Sequence, residues 1–118
     1  TKIGLLATET TIKTGIYKKS LRSKYKLLLP TRKLQIKHVN KSIKYVKMGK
    51  TKEAEKALKP AINYLIKNNC KKIILGCTEL PIAIFAYKSF KKAKISKTFL
   101  DPNLILAEAS MKRYITKK

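Results

Sequence analysis

Acidic residues are scarce in this chain: 6 Asp+Glu stand against 29 Lys+Arg in 118 residues, a net charge of +23. So basic a balance would suit nucleic acid or an anionic membrane surface. Its distribution argues against both. The lysines run from Lys2 to Lys118 without forming a stripe, arginine is rare, and no nucleic-acid-binding motif is present. Long apolar runs are also missing; none approaches the ~18 residues of a membrane span, and no secretory leader pattern opens the chain. The first residue is Thr rather than Met, as in a chain that is processed, trimmed or incomplete at its N-terminus. Cysteine is nearly absent. Cys70 and Cys77 flank one predicted strand, too far apart to bridge, and with no Cys-x-x-Cys pattern and a single histidine, His38, no metal site is expected. Reduced thiols and the lack of a targeting segment give a cytoplasmic expectation.

What is present is a globular pattern. Hydrophobic residues make up 44% of the chain, and the length suits one domain with a real core. Four short apolar runs read as strands: Ile3 to Ala7, Tyr25 to Leu29 ended by Pro30, Lys72 to Gly76, and Thr98 to Leu100. Helical periodicity fills the intervals. Thr10 or Thr11 is expected to cap a helix that turns Ile12, Ile16 and Tyr17 inward. Leu34, Val39, Ile43 and Val46 recur up to the stop at Gly49, which puts His38 on the polar side of that helix. Thr51 or its neighbour opens a longer helix with Ala54, Ala57, Leu58, Ala61, Leu65 and Ile66 on one face. Pro60 should kink it, and Asn68 and Asn69 end it. A helix over Pro81 to Tyr87, a basic loop over Lys88 to Lys97, and a last helix after Asp101-Pro102 with the stripe Leu104, Ala107, Met111 and Ile115 complete the reading. Strand-helix repeated four times predicts an α/β fold: a four-stranded parallel sheet with helices on both faces. Right-handed crossovers then gather the loops at Thr8, Pro30, Cys77 and Asp101 on one rim.

The run Ile73-Ile74-Leu75-Gly76-Cys77-Thr78-Glu79-Leu80-Pro81 carries the chemistry. An aliphatic strand delivers a thiol into a tight loop at the rim where open parallel sheets bind ligands. Gly76 lets the backbone come close to a ligand, and Thr78 and Glu79 set polar groups beside the sulfur. A plainer reading makes Cys77 a small hydrophobe and Glu79 a helix-start carboxylate. Cys70, at a helix-to-strand turn, reads as inert filler. The hydroxyls and N–H groups at Thr8-Glu9-Thr10-Thr11 suit a carboxylate, or simply cap a helix.

Gly-Cys-Thr-Glu-Leu-Pro after an aliphatic strand resembles the second cysteine motif of the aspartate/glutamate racemase superfamily, and the Glu after Cys-Thr resembles its aspartate racemase branch. Ile3 to Tyr17 is similar to the strand and Thr-rich loop opening that family's second half. Ile43 to Gly49 is similar to its helix end with Lys before Gly, and Phe99 to Ala107 to its Asp-Pro segment. These matches keep their order along nearly the whole chain. Two departures stand out: Thr10 replaces the usual Gly of the Thr-rich loop, and Thr31 replaces an acidic residue often found after the proline.

The resemblance implies cofactor-independent racemisation of an acidic amino acid such as aspartate, with one cysteine removing the α-proton and another returning it. It implies Cys77 as one acid/base, and Thr8, Thr11, Lys47, Thr78 and Glu79 as substrate-binding residues. Cys77 matches only the second family cysteine, so the chain resembles the C-terminal half of a two-domain racemase-like fold. The N-terminal half, a partner chain or a homo-oligomer would then complete the site. The alternative is a catalytically incomplete remnant that binds acidic metabolites or a partner protein; a basic nucleic-acid-associated domain is a third, less supported reading.

Overall fold

The computed structural model describes residues 2–21, 25–85 and 98–100. The basic loop from Lys88, the Asp101-Pro102 turn and the stripe Leu104, Ala107, Met111 and Ile115 lie outside them, as does the end of the helix expected to reach Tyr87. Four strands form one sheet: β1 (Lys2–Leu6), β2 (Lys26–Leu28), β3 (Lys72–Leu75) and β4 (Phe99–Leu100). All neighbours are parallel and the order is β2-β1-β3-β4. The expected four-stranded parallel sheet is therefore present. β1 and β3 sit at its centre in a register that pairs Leu6 with Leu75. From β1 the chain moves to β2 on one side, and from β3 to β4 on the other. The crevice beyond the ends of β1 and β3 is thus the switch point where such sheets bind ligands.

Strand side chains alternate between two apolar layers. Ile3, Leu5, Ala7 and Ile74 meet Tyr17, Ile12 and Leu21 from α1 (Glu9–Thr14) and α2 (Ile16–Leu21). Leu6, Ile73 and Leu75 meet the larger layer: Val39, Ile43, Ala54, Leu58, Ala61, Leu65, Leu80 and Ile84. That layer is built by a π-helical turn (Gln35–Val39), which follows α3 (Arg32–Leu34), and by α4 (Asn40–Lys47), α5 (Thr51–Lys67) and α6 (Glu79–Phe85). Helices cover both faces because each central strand is apolar on both sides. A Cβ on Gly4 would lie 2.9 Å from a terminal methyl of Leu65, so the glycine lets α5 pack closely on the strand.

Several local expectations give way to geometry. The cap of α1 is Thr8, not Thr10 or Thr11: its hydroxyl accepts the N–H of Thr11 at 3.2 Å. Gly15 then adopts φ 66° and breaks the helix, which rotates Ile16 out of the phase of Ile12 and leaves it exposed. The stretch after Pro30 is one helical run from Arg32 to Lys47, capped by Thr31, but Gln35–Val39 widen into a π turn. The extra residue turns His38 toward α5, where its Nδ1 lies 3.1 Å from the Ala57 carbonyl, so it is not simply a solvated ring. In α5 the buried face carries Ile62 rather than Ile66, and Ala57 is only half-buried.

Pro60 sits within α5; the N–H it lacks would have met the carbonyl of Lys56, an exposed residue within reach of water. Glu55 is 1% exposed. Its Oε1 lies 3.5 Å from Lys59 Nζ one turn later, and neither carboxylate oxygen has a hydrogen-bond partner among the described residues. Among the described residues no helix is long and apolar enough to cross a membrane.

Candidate active site

Gly76 fixes how the two central loops meet. Its N–H donates to the Leu6 carbonyl at 2.7 Å, prolonging the β1–β3 ladder by one bond. A Cβ there would lie 2.9 Å from Ala7 Cβ, 3.2 Å from Leu5 Cδ1 and 3.3 Å from the Leu6 carbonyl oxygen. The glycine is therefore needed for the approach of one loop to the other. Thr8 and Cys77, the next residues along each strand, leave the sheet side by side on the same rim.

On the β1 side, Thr8 Oγ1 also donates to Thr11 Oγ1 at 2.9 Å, so both hydroxyls are fixed in the first turn of α1. On the β3 side, α6 begins at Glu79, two residues before Pro81. Proline fits that first turn because the first four helical N–H groups have no intrahelical acceptor. This earlier start turns the N–H groups of Leu80 and Glu79 toward the Cys77 sulfur. Thr78 Oγ1 donates to Glu79 Oε2 at 3.0 Å, and Lys47 Nζ, at the end of α4, lies 3.8 Å from Glu79 Oε1. The Cys77 thiol donates to the same carboxylate. Lys47, Glu79, Thr78 and Cys77 thus form one polar chain. Thr8 and Thr11 form a separate pair beside it, joined to it through the Gly76–Ala7 contact and by no direct hydrogen bond.

The two titrating groups move in opposite directions. Burial pushes the half-buried Cys77 thiol up. The two N–H groups pull it down, the Glu79 charge and hydrogen bond push it up again, and the net shift is upward. At neutral pH the sulfur is therefore a thiol. Burial alone would raise Glu79; the hydrogen bond from Thr78, its own N–H, the Lys47 ammonium and the Cys77 thiol outweigh that and hold it below its ordinary value. Cys70 is buried at the other end of β3, and its thiol is also raised by burial, with Lys2 opposing. Among the described residues no group of three or more His, Cys, Asp or Glu gathers as metal ligands would.

Residues 1–110 match the model of the Asp/Glu/Hydantoin racemase family. The chain belongs to that family. Glutamate racemase of Carboxydothermus hydrogenoformans is 30% identical over 111 residues, covering 90% of this chain and 38% of that protein. Picrophilus torridus aspartate racemase superposes with a TM-score of 0.66 at 27% identity, over 92% of this chain and 45% of that one. A Yersinia pestis structure assigned to the Asp/Glu racemases gives a TM-score of 0.67 at 26% identity, over 96% and 47%. The chain therefore spans less than half the length of these racemase-family relatives.

One residue of this rim escaped the sequence reading. Gln35, 4% exposed, donates from Nε2 to the Ala7 carbonyl at 2.9 Å and to Asn40 Oδ1 at 2.8 Å. It thereby ties the end of β1 to the π turn. The signal was available: Gln35 precedes Val39 by four and Ile43 by eight, so it interrupts the apolar stripe of that helix.

Proposed function

We propose that this chain supplies one side of the active site of a cofactor-independent racemase for acidic amino acids, aspartate being the closest fit, with Cys77 as one of two acid/base groups. The observation that carries the reading is the polar chain Cys77–Glu79–Lys47 at the sheet's switch point. It places a protonated thiol, a carboxylate that accepts its hydrogen bond and a lysine ammonium within one loop and one helix end.

Racemisation removes a proton from Cα on one face and returns one on the other. In this role Cys77 starts as the donor: its S–H gives a proton to the carbanionic Cα, and the electron pair left on sulfur is held by the N–H groups of Leu80 and Glu79. In the reverse direction the thiolate takes the α-proton. Burial, with the Glu79 carboxylate adding to it, keeps the thiol protonated at rest and so sets that starting state. Lys47 is the cation for the distal carboxylate of the substrate, and the Thr8 and Thr11 hydroxyls with Thr78 serve its α-carboxylate and ammonium. The acid/base for the opposite face is a second cysteine outside these residues, on an N-terminal half or a partner chain. Cys70 cannot take that part, since it lies buried at the far end of β3.

Incubating the purified chain with L-aspartate in D2O tests the reading by chiral chromatography and loss of the α-proton signal. The expected result is no D-aspartate, because an acid or base on one face alone does not complete a turnover. Racemisation by this chain, abolished by Cys77→Ser, would overturn the shared-site part of the proposal.

A further inference from the structure

Three consecutive carbonyls at the end of β1 are held by three different parts of the chain. The Gly76 N–H donates to Leu6 at 2.7 Å, and the Ile12 N–H donates to Thr8 at 3.1 Å. Between them the Ala7 carbonyl accepts from a side chain, the buried Gln35 amide, whose Nε2 lies at 2.9 Å. The same Nε2 donates its other N–H to Asn40 Oδ1 at 2.8 Å. With the Ala7 acceptor at that end, the Gln35 amide faces one way only, and Asn40 must turn its oxygen to it. The π turn makes this lock possible. On an α-helix, side chains five residues apart point about 140° away from each other. Here the Asn40 N–H donates to the Gln35 carbonyl, an i to i+5 bond that brings both side chains to one side.

The lock has a cost for the fold. It sets an amide into the apolar stripe continued by Val39 and Ile43, and Gln35 Oε1 is buried without a donor among the described residues. An apolar side chain of similar length would fill the stripe without that cost. What the amide adds is a hold on the peptide joining Ala7 to Thr8. We propose that Gln35, locked by Asn40 across the π turn, is a positioning residue: it sets where the Thr8 hydroxyl stands on the rim and thereby the affinity of the site for its substrate. It touches no ligand and acts through the Ala7–Thr8 peptide. The Leu6–Gly76 bond fixes the residue before that peptide relative to the Cys77 loop, so a turn of the peptide would move Thr8 against Cys77 without unfolding either. The inference rests on the reading of Thr8 as a substrate-binding residue, but the hold on Thr8 can be tested apart from it.

Gln35→Met and Asn40→Ala remove the two parts of the lock, and Asn40→Asp keeps the acceptor for Gln35. NMR of the ligand-free full chain tests the hold. The three-bond couplings across the Thr8 Cα–Cβ bond should show one rotamer in the unaltered chain and in Asn40→Asp, and an average in Gln35→Met and Asn40→Ala. Hydrogen exchange at Leu58 and Leu65, in the buried face of α5, should stay unchanged in Asn40→Ala, which a loss of global stability would not allow. Alkylation of Cys77 against rising aspartate tests the consequence. Half-protection should need about tenfold more aspartate in Gln35→Met, on the scale of one lost hydrogen bond, and the unaltered concentration in Asn40→Asp. Asn40 is half-buried, so Asn40→Ala carries the test if Gln35→Met fails to fold; its expected rise is about threefold. A single Thr8 rotamer in the folded variants would overturn the proposal, as would unchanged protection in them or an equal loss in Asn40→Asp. If aspartate does not protect the unaltered chain at all, the racemase reading fails, and the Thr8 couplings alone decide this one.

Discussion

The two ends of β3 carry the same residue type in opposite circumstances. Cys70 follows the helix end at Asn68 and Asn69, is 2% exposed, and belongs to the core cluster. Cys77 is only half-buried, with two backbone N–H groups, a carboxylate and, through that carboxylate, a lysine around it. Burial raises both thiols. Burial alone therefore does not single out a reactive cysteine; the polar partners at the carboxyl end of the strand do. The comparison extends to the sheet as a whole. At mid-strand, Gly4 makes room for side-chain atoms of Leu65 and Ile73, whereas at the rim Gly76 makes room for Ala7 Cβ and the Leu6 carbonyl.

That contrast sets the largest expected effect. Gly76→Ala forces backbone apart where two loops meet and should destabilise the fold by about 2–3 kcal/mol, in the upper range for overpacking. Gly4→Ala meets side-chain atoms of Leu65 and Ile73 but no backbone, and should cost less, about 1 kcal/mol. Denaturant unfolding of both variants checks the order; an equal or larger loss at Gly4 would break the contrast between rim and mid-strand. Next in size is Thr8→Ala, which removes the cap of α1 and its bond to the Thr11 hydroxyl, at about 1 kcal/mol. Thr8→Ser should keep most of that stability in the same measurement.

A smaller effect sharpens the comparison of the thiols. Glu79→Gln removes a negative charge from beside the Cys77 sulfur, so its thiol titration should move down and iodoacetamide labelling at pH 7 should quicken several-fold. Cys70 labelling should not change. Slower labelling of Cys77 in this variant would mean that Glu79 does not hold the thiol protonated. The smallest effect is on acid stability. Glu79 is held below its ordinary value, so its contribution is present above the unfolded-state value of ~4.3 and is lost as pH falls through the lower folded value. Unfolding midpoints should thus fall more steeply below about pH 4.5 in the unaltered chain than in Glu79→Gln.

Much of this was legible in the sequence because apolar runs bounded by Gly, Pro and Asn define parallel strands almost unaided. The Gly-Cys-Thr-Glu loop was legible for the same reason, being anchored at the end of such a run. Phase within helices was not. Three threonines in Thr8-Glu9-Thr10-Thr11 are equally good caps by composition, and only the end of β1 selects Thr8. Gly15 in the left-handed region and the π turn at Gln35–Val39 each reset the helical register, which turned Ile16 outward and His38 toward α5. Glu55 is buried although charge alone would place it outside, and Gln35 was passed over because a single polar residue in an apolar stripe looks like noise. The upward shift of Cys77 was also out of reach, since it depends first on how deeply the fold buries the sulfur and then on the Glu79 carboxylate beside it.

The central claim is that Cys77, and not Cys70, faces an acidic substrate. Alkylation of the purified chain at pH 8, with and without saturating aspartate at constant ionic strength, tests it most directly when both cysteines are followed by peptide mapping. The account predicts that Cys77 labels faster than Cys70, that aspartate slows Cys77 while leaving Cys70 unchanged, and that Lys47→Gln weakens the protection. Faster labelling of Cys70, or no protection of Cys77 by aspartate at any concentration reached, would contradict it.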